Sequence, residues 1–460
     1  MRDKNDDLVH HFADLTVDTT LTHLPPDAIE AAKKSLLDTI GVTLAAGGLE
    51  PIATPVLEHV RENGGRPEAT VLGTDLKVPA GAAAFANGAL AHCLDFDDLT
   101  YWGHHAASSI VPATLAAAER RGCVSGEELV VAIAVGQDIF ARLRRHVEWR
   151  KDWNISPVMG VFAAAAAAGR VLGLSREQVA HALGIASMRS AGTMEIVQGV
   201  SDVRGIYAGF SGEGAVTAAL LAERGVTGLS ALFEGEYGVL NTYFRGDYDR
   251  SAILKDLGIT YMGGSTLYKR WPSVSTSHSH IHAMMMLMAE QDLSAEDLEE
   301  IRVFVGDWHD VMCRPLESRR VPKTVLDAKF SLPFLVSLAV VRGDIGVTDL
   351  TEPSLEDPAV LELARKVVPI PDAALDWNLE IPPGRVQVTT RDGRTFDQSG
   401  VDVPGTVDAP MTWQDIGRKF GDCAAAASVP LRPEQIQAVK QMAEELETLA
   451  DALDLVRGLA

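Results

Sequence analysis

Between Ala91 and Pro112 the chain reads AHCLDFDDLTYWGHHAASSIVP. Asp95, Asp97 and Asp98 precede the pair His104–His105, and His105 stands ten residues after Asp95. A carboxylate beside an imidazole holds it in one tautomer, and a histidine of ordinary pKa, near 6.5, exchanges protons close to neutral pH. Alanine-rich apolar segments, 81–91 and 112–118, flank the stretch. Acid/base groups set into such surroundings are expensive to bury unless paired. A solvated loop, with Asp98 or Thr100 capping the next helix, is the plain alternative.

Three further stretches carry polar chemistry. Tyr268-Lys269-Arg270-Trp271-Pro272 puts two cations beside an aromatic and a proline, which reads as an anion-binding corner or as a solvated hinge. His278, His280 and His282 share a strand face, and 278 and 282 share a helix face. No cysteine or carboxylate stands at partner spacing, so one cleft-facing histidine and two structural ones are expected, not a metal site. Ser201 to Gly214 is glycine-rich and holds Arg204 and Tyr207. It lacks GxGxxG and a preceding strand, so its glycines are read as points of close helix approach, not a nucleotide cradle.

These residues need a frame. The chain has 460 residues and a net charge of −22, which points to two domains and argues against a nucleic-acid or anionic-membrane surface. Four dispersed cysteines fit reduced thiols in a cytoplasm. The acidic N-terminal segment lacks the apolar core of a signal peptide, and the longest apolar run, 158–169, falls short of a membrane span and is read as a buried helix.

Asp27 with Glu30, Ser125 with Glu128 and Ser175 with Gln178 have the spacing of helix capping boxes. Apolar residues then recur with helical period to about residue 260. Alternation appears at Ile301–Val305 and Arg385–Thr390, followed by a hairpin signal at Asp392-Gly393. Between these strands, 327–341 and 357–367 read as helices, and an amphipathic segment runs from Pro433 to Leu459. The expected fold is mainly α: a helical domain from residues 1–264 and 405–460, with an α+β lid domain, 265–404, inserted.

The DFDD run, His105 and Val111-Pro112 together resemble the signature of the MmgE/PrpD family. Gly160 to Gly169 is similar to its alanine-rich helix, Lys269-Arg-Trp-Pro272 to its Lys-x-aromatic-Pro motif with His278 downstream, and Asp327-Ala-Lys-Phe-Ser-Leu-Pro333 to its DAxFSLP segment. The resemblance spans nearly the whole chain. It implies a helical domain plus a lid with the site in the cleft between, a homodimer, and catalysis without metal or organic cofactor. The family includes 2-methylcitrate dehydratase, cis-aconitate decarboxylase and iminodisuccinate epimerase.

Several positions depart from the family pattern. Asn154-Ile155 stands where the family has His-Pro, Arg204 and Tyr207 replace the lysine and histidine of TKxLH, and Ser275 replaces an arginine. The expected activity is a dehydratase-type lyase acting on a small carboxylic acid, with epimerisation, isomerisation or decarboxylation as alternatives. A non-catalytic ligand-binding paralogue is the third reading. The expected catalytic residues are His105 for proton transfer, Asp95 or a neighbouring carboxylate to orient it, Lys269 and Tyr207. Asn154, Arg204, Lys269 and His278 are expected to bind substrate, all lining one cleft.

Overall fold

The structure is a computed structural model that describes residues 6–197 and 201–459. The fold is predominantly α-helical. It divides into two compact units, one taking in the chain up to Thr266 and again from Thr412, the other Leu267–Met411.

The first unit is built on α1 (Pro26–Leu49), α2 (Ala80–Cys93), α3 (Ala107–Arg121), α4 (Gly126–His146), α5 (Ile155–Val171), α6 (Val203–Glu223) and α7 (Trp413–Ala425). The Ser125/Glu128 box forms as expected, with Glu128 N donating to Ser125 Oγ at 3.2 Å and Ser125 N to Glu128 Oε2 at 3.2 Å. The Asp27/Glu30 box does not form, because Pro26 already opens α1 and Asp27 lies inside its first turn. There its charge favours the positive end of the helix dipole. The apolar run 158–169 lies within α5, whose residues are buried almost throughout. No single helix among the described residues is long and apolar enough to cross a membrane.

Small residues let α2 and α6 approach closely. A Cβ on Gly209 would lie 2.4 Å from the carbonyl oxygen of Phe85, and one on Gly88 would lie 3.0 Å from that of Ala208. The glycines of 201–214 therefore serve packing. After Thr412 the chain returns to this unit, where α7 lies against α1 and Phe420 meets Gly41. Beyond it, the expected amphipathic run is broken into a helix over Pro433–Glu444, a 3-10 turn at Leu446–Thr448 and a short helix at Asp454–Arg457.

The second unit holds a four-stranded sheet ordered β2-β1-β3-β4, with β1 Leu298–Val305, β2 Val367–Pro371, β3 Gly384–Thr390 and β4 Thr395–Gly400. β1 pairs parallel with β2 and antiparallel with β3, and β4 closes the hairpin. Segment 357–367 is thus helical only over Pro358–Arg365, and Val367 begins a strand. Segment 327–341 breaks at Phe330–Ser331, where Ser331 caps the helix Leu332–Arg342. Ile301, Val303, Val386 and Val388 form a core with Met284 and Leu287 from the helix His278–Glu290.

Two histidines are sealed inside this unit. His280 donates from Nε2 to Phe304 O at 2.8 Å, and its ring meets His309 edge-on at 4.7 Å. Burial drives the His280 pKa down to about 4 and that of His309 well below its ordinary value. Unfolding releases both to titrate normally, so the unfolded chain takes up protons first. Stability is intact above the ordinary histidine pKa and is lost as pH falls from about 6.5 toward 4. For His280 alone, a shift from 6.5 to about 4 corresponds to roughly 3 kcal/mol. Urea unfolding followed at pH 7 and pH 4.5 is expected to show this loss, and His280→Gln to reduce it markedly.

Candidate active site

The DFDD stretch is not a solvated loop. Asp95, Asp97 and Asp98 are 6%, 0% and 1% exposed. They lie between the end of α2 and the start of α3, and burial at this depth demands partners. Asp97 has two. Its Oδ2 lies 3.0 Å from Nδ1 of His92 and 3.2 Å from Nδ1 of His105, and its Oδ1 is 3.1 Å from the same His92 nitrogen. Burial alone would raise the Asp97 pKa, but the two imidazoles together outweigh it and hold the carboxyl well below its ordinary range.

His105 Nδ1 also lies 2.8 Å from the backbone carbonyl of Asp98. Both neighbours of that nitrogen are acceptors, so Nδ1 carries a hydrogen, and Nε2 is the ring nitrogen left for proton exchange. The carboxylate that orients His105 is therefore Asp97. Asp95 sits two residues away in the left-handed region, at φ 53°. Its charge acts on His92 and Tyr207.

Tyr207, on α6, packs its ring 4.3 Å from His92. Burial, reinforced by Asp97, raises its pKa far above the ordinary tyrosine value, so it is a neutral phenol hydrogen-bonded to Ser156. The Ser156 hydroxyl accepts the backbone N–H of His105 at 3.0 Å. Asn154 caps α5, its Oδ1 accepting the Ser156 N–H at 3.3 Å. The chain His105–Ser156–Asn154 and the stack His105–His92–Tyr207 thus join four segments around one carboxylate. Arg204, half-buried in the first turn of α6, acts electrostatically on Tyr207.

Behind Asp97 lies a second polar layer. Ser35 on α1 donates to Asp98 Oδ2, Gln137 on α4 donates to Ser35 at 2.8 Å, and the Ala107 N–H reaches Asp98 Oδ1 at 3.3 Å. Burial, with the charges of Asp38 and Asp97, lifts the Asp98 pKa to about 7. Lys419 of α7 pairs with Asp38 at 2.7 Å and donates to Phe96 O at 2.7 Å. Its ammonium also stands 3.8 Å from the centre of the Phe96 ring. Sequence reasoning passed over His92, Asp98 as a hub, Ser35 and Lys419. His92 alone left a trace, five residues before Asp97 in an otherwise apolar helix.

In the second unit Lys269 is buried, 1% exposed, and His278 is buried against Trp271, with ring centroids 5.2 Å apart. Arg270 is not a partner to Lys269 in an anion corner, since it forms an ion pair with Asp344, which also accepts from Trp271 Nε1 at 2.8 Å. His278, His280 and His282 do not converge: His280 turns to Phe304 and His309, while the other two face Trp271. Ligand-capable atoms of His92, Asp97 and His105 do lie within 4.8 Å of one another. Both imidazole Nδ1 atoms already meet the carboxylate, so a divalent cation there would have to displace two hydrogen-bonded protons.

The MmgE/PrpD N-terminal domain matches residues 10–251, and the MmgE/PrpD C-terminal domain matches residues 271–445. The chain belongs to the MmgE/PrpD family. A cis-aconitate decarboxylase-like protein of Aspergillus oryzae is 26% identical, the match covering 94% of this chain and 93% of the relative. Human cis-aconitate decarboxylase is 25% identical over 93% of this chain and 89% of its own. The 2-methylcitrate dehydratase of Escherichia coli is 24% identical over 82% of this chain and 81% of its own. In this MmgE/PrpD chain the DFDD run and His105, on which the resemblance to the family signature was read, form the buried Asp97–His105 centre.

Because Lys419 is the cation beside buried Asp38, Lys419→Met leaves that carboxylate without it. A loss of about 3–5 kcal/mol is expected in denaturant titrations. The double variant with Asp38→Leu is expected to recover much of it, as a double-mutant cycle measures.

Proposed function

We propose that this protein is a lyase acting on a small carboxylic acid by proton transfer at the carbon next to a carboxylate. The observation that carries the reading is the anchoring of His105, whose Nδ1–H faces Asp97 and the Asp98 carbonyl, which leaves Nε2 as the nitrogen proposed to exchange the proton. In dehydration, Nε2 takes the proton from carbon, the electron pair forms the double bond, and the C–O bond breaks with a proton delivered to the leaving hydroxyl. Tyr207, a neutral phenol beside His92, is the group proposed to supply that proton. Asp97 stabilises the imidazolium that forms.

Decarboxylation is the second reading, favoured by the extent of the matches. The Aspergillus oryzae and human relatives named for cis-aconitate decarboxylation align over 93–94% of this chain, against 82% for the Escherichia coli dehydratase. In that reaction the C–C bond breaks, CO2 leaves, and the electron pair left on carbon takes a proton from protonated His105. Both steps need a cation to stabilise the enolate-like charge. Lys269 is proposed to hold a substrate carboxylate as a point charge, with Arg204 and Asn154 as further substrate contacts. Ser275 in place of the usual arginine argues for fewer substrate carboxylates than in the family's tricarboxylates, or for a different group at that end.

Purified protein assayed with citrate, 2-methylcitrate, cis-aconitate and iminodisuccinate, following absorbance at 240 nm and CO2 release, distinguishes the two reactions. His105→Ala is expected to lower kcat by about 10²–10⁴-fold. Lys269→Ala is expected to raise KM as well as lower kcat. Activity is expected to survive chelation. Absence of turnover on the whole panel, with ligand still bound, would leave a binding paralogue instead.

We also propose a homodimer. Light scattering is expected to give twice the chain mass of 49.3 kDa. A mass of one chain at micromolar concentration would refute it.

A further inference from the structure

Lys419 lies on α7 and is buried, at 7% exposure. Its Nζ lies 2.7 Å from Oδ1 of Asp38 on α1 and donates to Phe96 O at 2.7 Å. The same nitrogen stands 3.8 Å from the centre of the Phe96 ring. An ammonium carries donors and no acceptor, and two of these three contacts go to one residue of the DFDD turn.

Stability alone does not call for this lysine. A buried ion pair repays little more than its own desolvation, and apolar residues of similar size often replace one without loss. Helix α7 also has other means of holding α1. A Cβ on Gly41 would lie 3.1 Å from Cδ2 of Phe420 and 3.5 Å from Cβ of Cys423. Ile416, Phe420 and Cys423 are buried, and Trp413 Nε1 donates to Glu30 of α1 at 2.6 Å. The apolar face of α7 therefore packs on α1 without help from the ammonium.

What the lysine adds is a fixed peptide plane. The peptide bond is planar, so Phe96 O moves together with the nitrogen and Cα of Asp97. Pinning that oxygen from outside the turn sets the direction in which the Asp97 side chain leaves the backbone. Asp95, just before Phe96, sits in the left-handed region at φ 53°, which a residue with a Cβ keeps only where its surroundings impose it. Asp97 must bring one oxygen to 3.0 Å from Nδ1 of His92 and 3.2 Å from Nδ1 of His105. A shift of about 1 Å away from the rings takes both contacts beyond hydrogen-bond range.

We propose that Lys419 is a positioning residue of the proton-transfer centre: by holding the Phe96 carbonyl it aims Asp97, and through Asp97 it orients His105. Lys419 touches none of the reacting groups and acts through the turn. Its kinetic consequence rests on the lyase reading above, whereas the geometry it sets exists without substrate.

The Asp97–His105 contact can be read without turnover, from the Nδ1–H signal of His105 in 15N-histidine-labelled protein, assigned by its loss in His105→Gln. Wild type is expected to show this proton far downfield, and its absence there would overturn the proposal at once. The double variant Lys419→Met/Asp38→Leu replaces the buried pair by apolar side chains. It is expected to keep much of the wild-type stability while the Phe96 carbonyl still lacks its donor. The His105 signal is then expected to move upfield or to vanish by exchange with water. In Asp38→Asn, which removes the charge but leaves the ammonium on Phe96 O, the signal is expected to stay. On whichever acid of the panel is turned over, the double variant is expected to lose about 10–100-fold in kcat with KM little changed. A stable double variant with the wild-type His105 signal, or with the wild-type kcat, would overturn the proposal. So would an equal signal change in Asp38→Asn, which would place the effect in the charge. A double variant that does not fold would overturn it too, by making Lys419 a determinant of the fold. If the signals change as expected and no acid is turned over, the lyase reading fails and the positioning role stands.

Discussion

One buried carboxylate organises the first unit. Asp97, with no exposed surface, is the shared acceptor of two imidazoles, and its negative charge stands in a region that burial would otherwise forbid. The rest follows from keeping it charged and correctly aimed. His92 comes from the end of α2, His105 from the turn before α3, and Tyr207 from α6 closes over His92. The close α2–α6 crossing, made possible by Gly88 and Gly209, brings that phenol near. A side chain at either glycine would separate the helices that carry two members of the site.

A second carboxylate with a different task stands beside the first. Asp98 ties Ser35 and, through it, Gln137 to the N–H of Ala107, and its own carbonyl fixes the His105 tautomer. Its pKa near 7 and the depressed one of Asp97 show how environment separates chemically identical neighbours. The acid with two imidazole partners ionises. The acid that faces other acids resists ionising.

Much of this was legible in the residues themselves. The DFDD run and His105 stood out because charged letters interrupt an alanine-rich background, and Ile301–Val305 and Arg385–Thr390 because they alternate. The strand Val367–Pro371 was hidden, since VVPIP does not alternate and two prolines speak against a strand. Its place at the sheet edge, beside β1 alone, is what makes the prolines tolerable. Which aspartate serves His105 was not readable either, because Asp95 and Asp97 differ only in the local turn that aims them. Lys419 lay beyond reach for another reason: it meets Phe96 across 323 residues, and no local pattern records such a contact.

That long reach bears on how the protein comes into being. Synthesis runs from the N-terminus, so the DFDD turn leaves the ribosome together with its histidines long before Lys419 exists. Until α7 arrives, Asp38 lacks its cation and the carbonyl of Phe96 lacks its donor. The DFDD turn and its histidines are thus complete in sequence before the lysine that holds the Phe96 carbonyl has been added. A polypeptide that stops short of α7 therefore lacks the ammonium that reaches both Asp38 and the backbone of the DFDD turn.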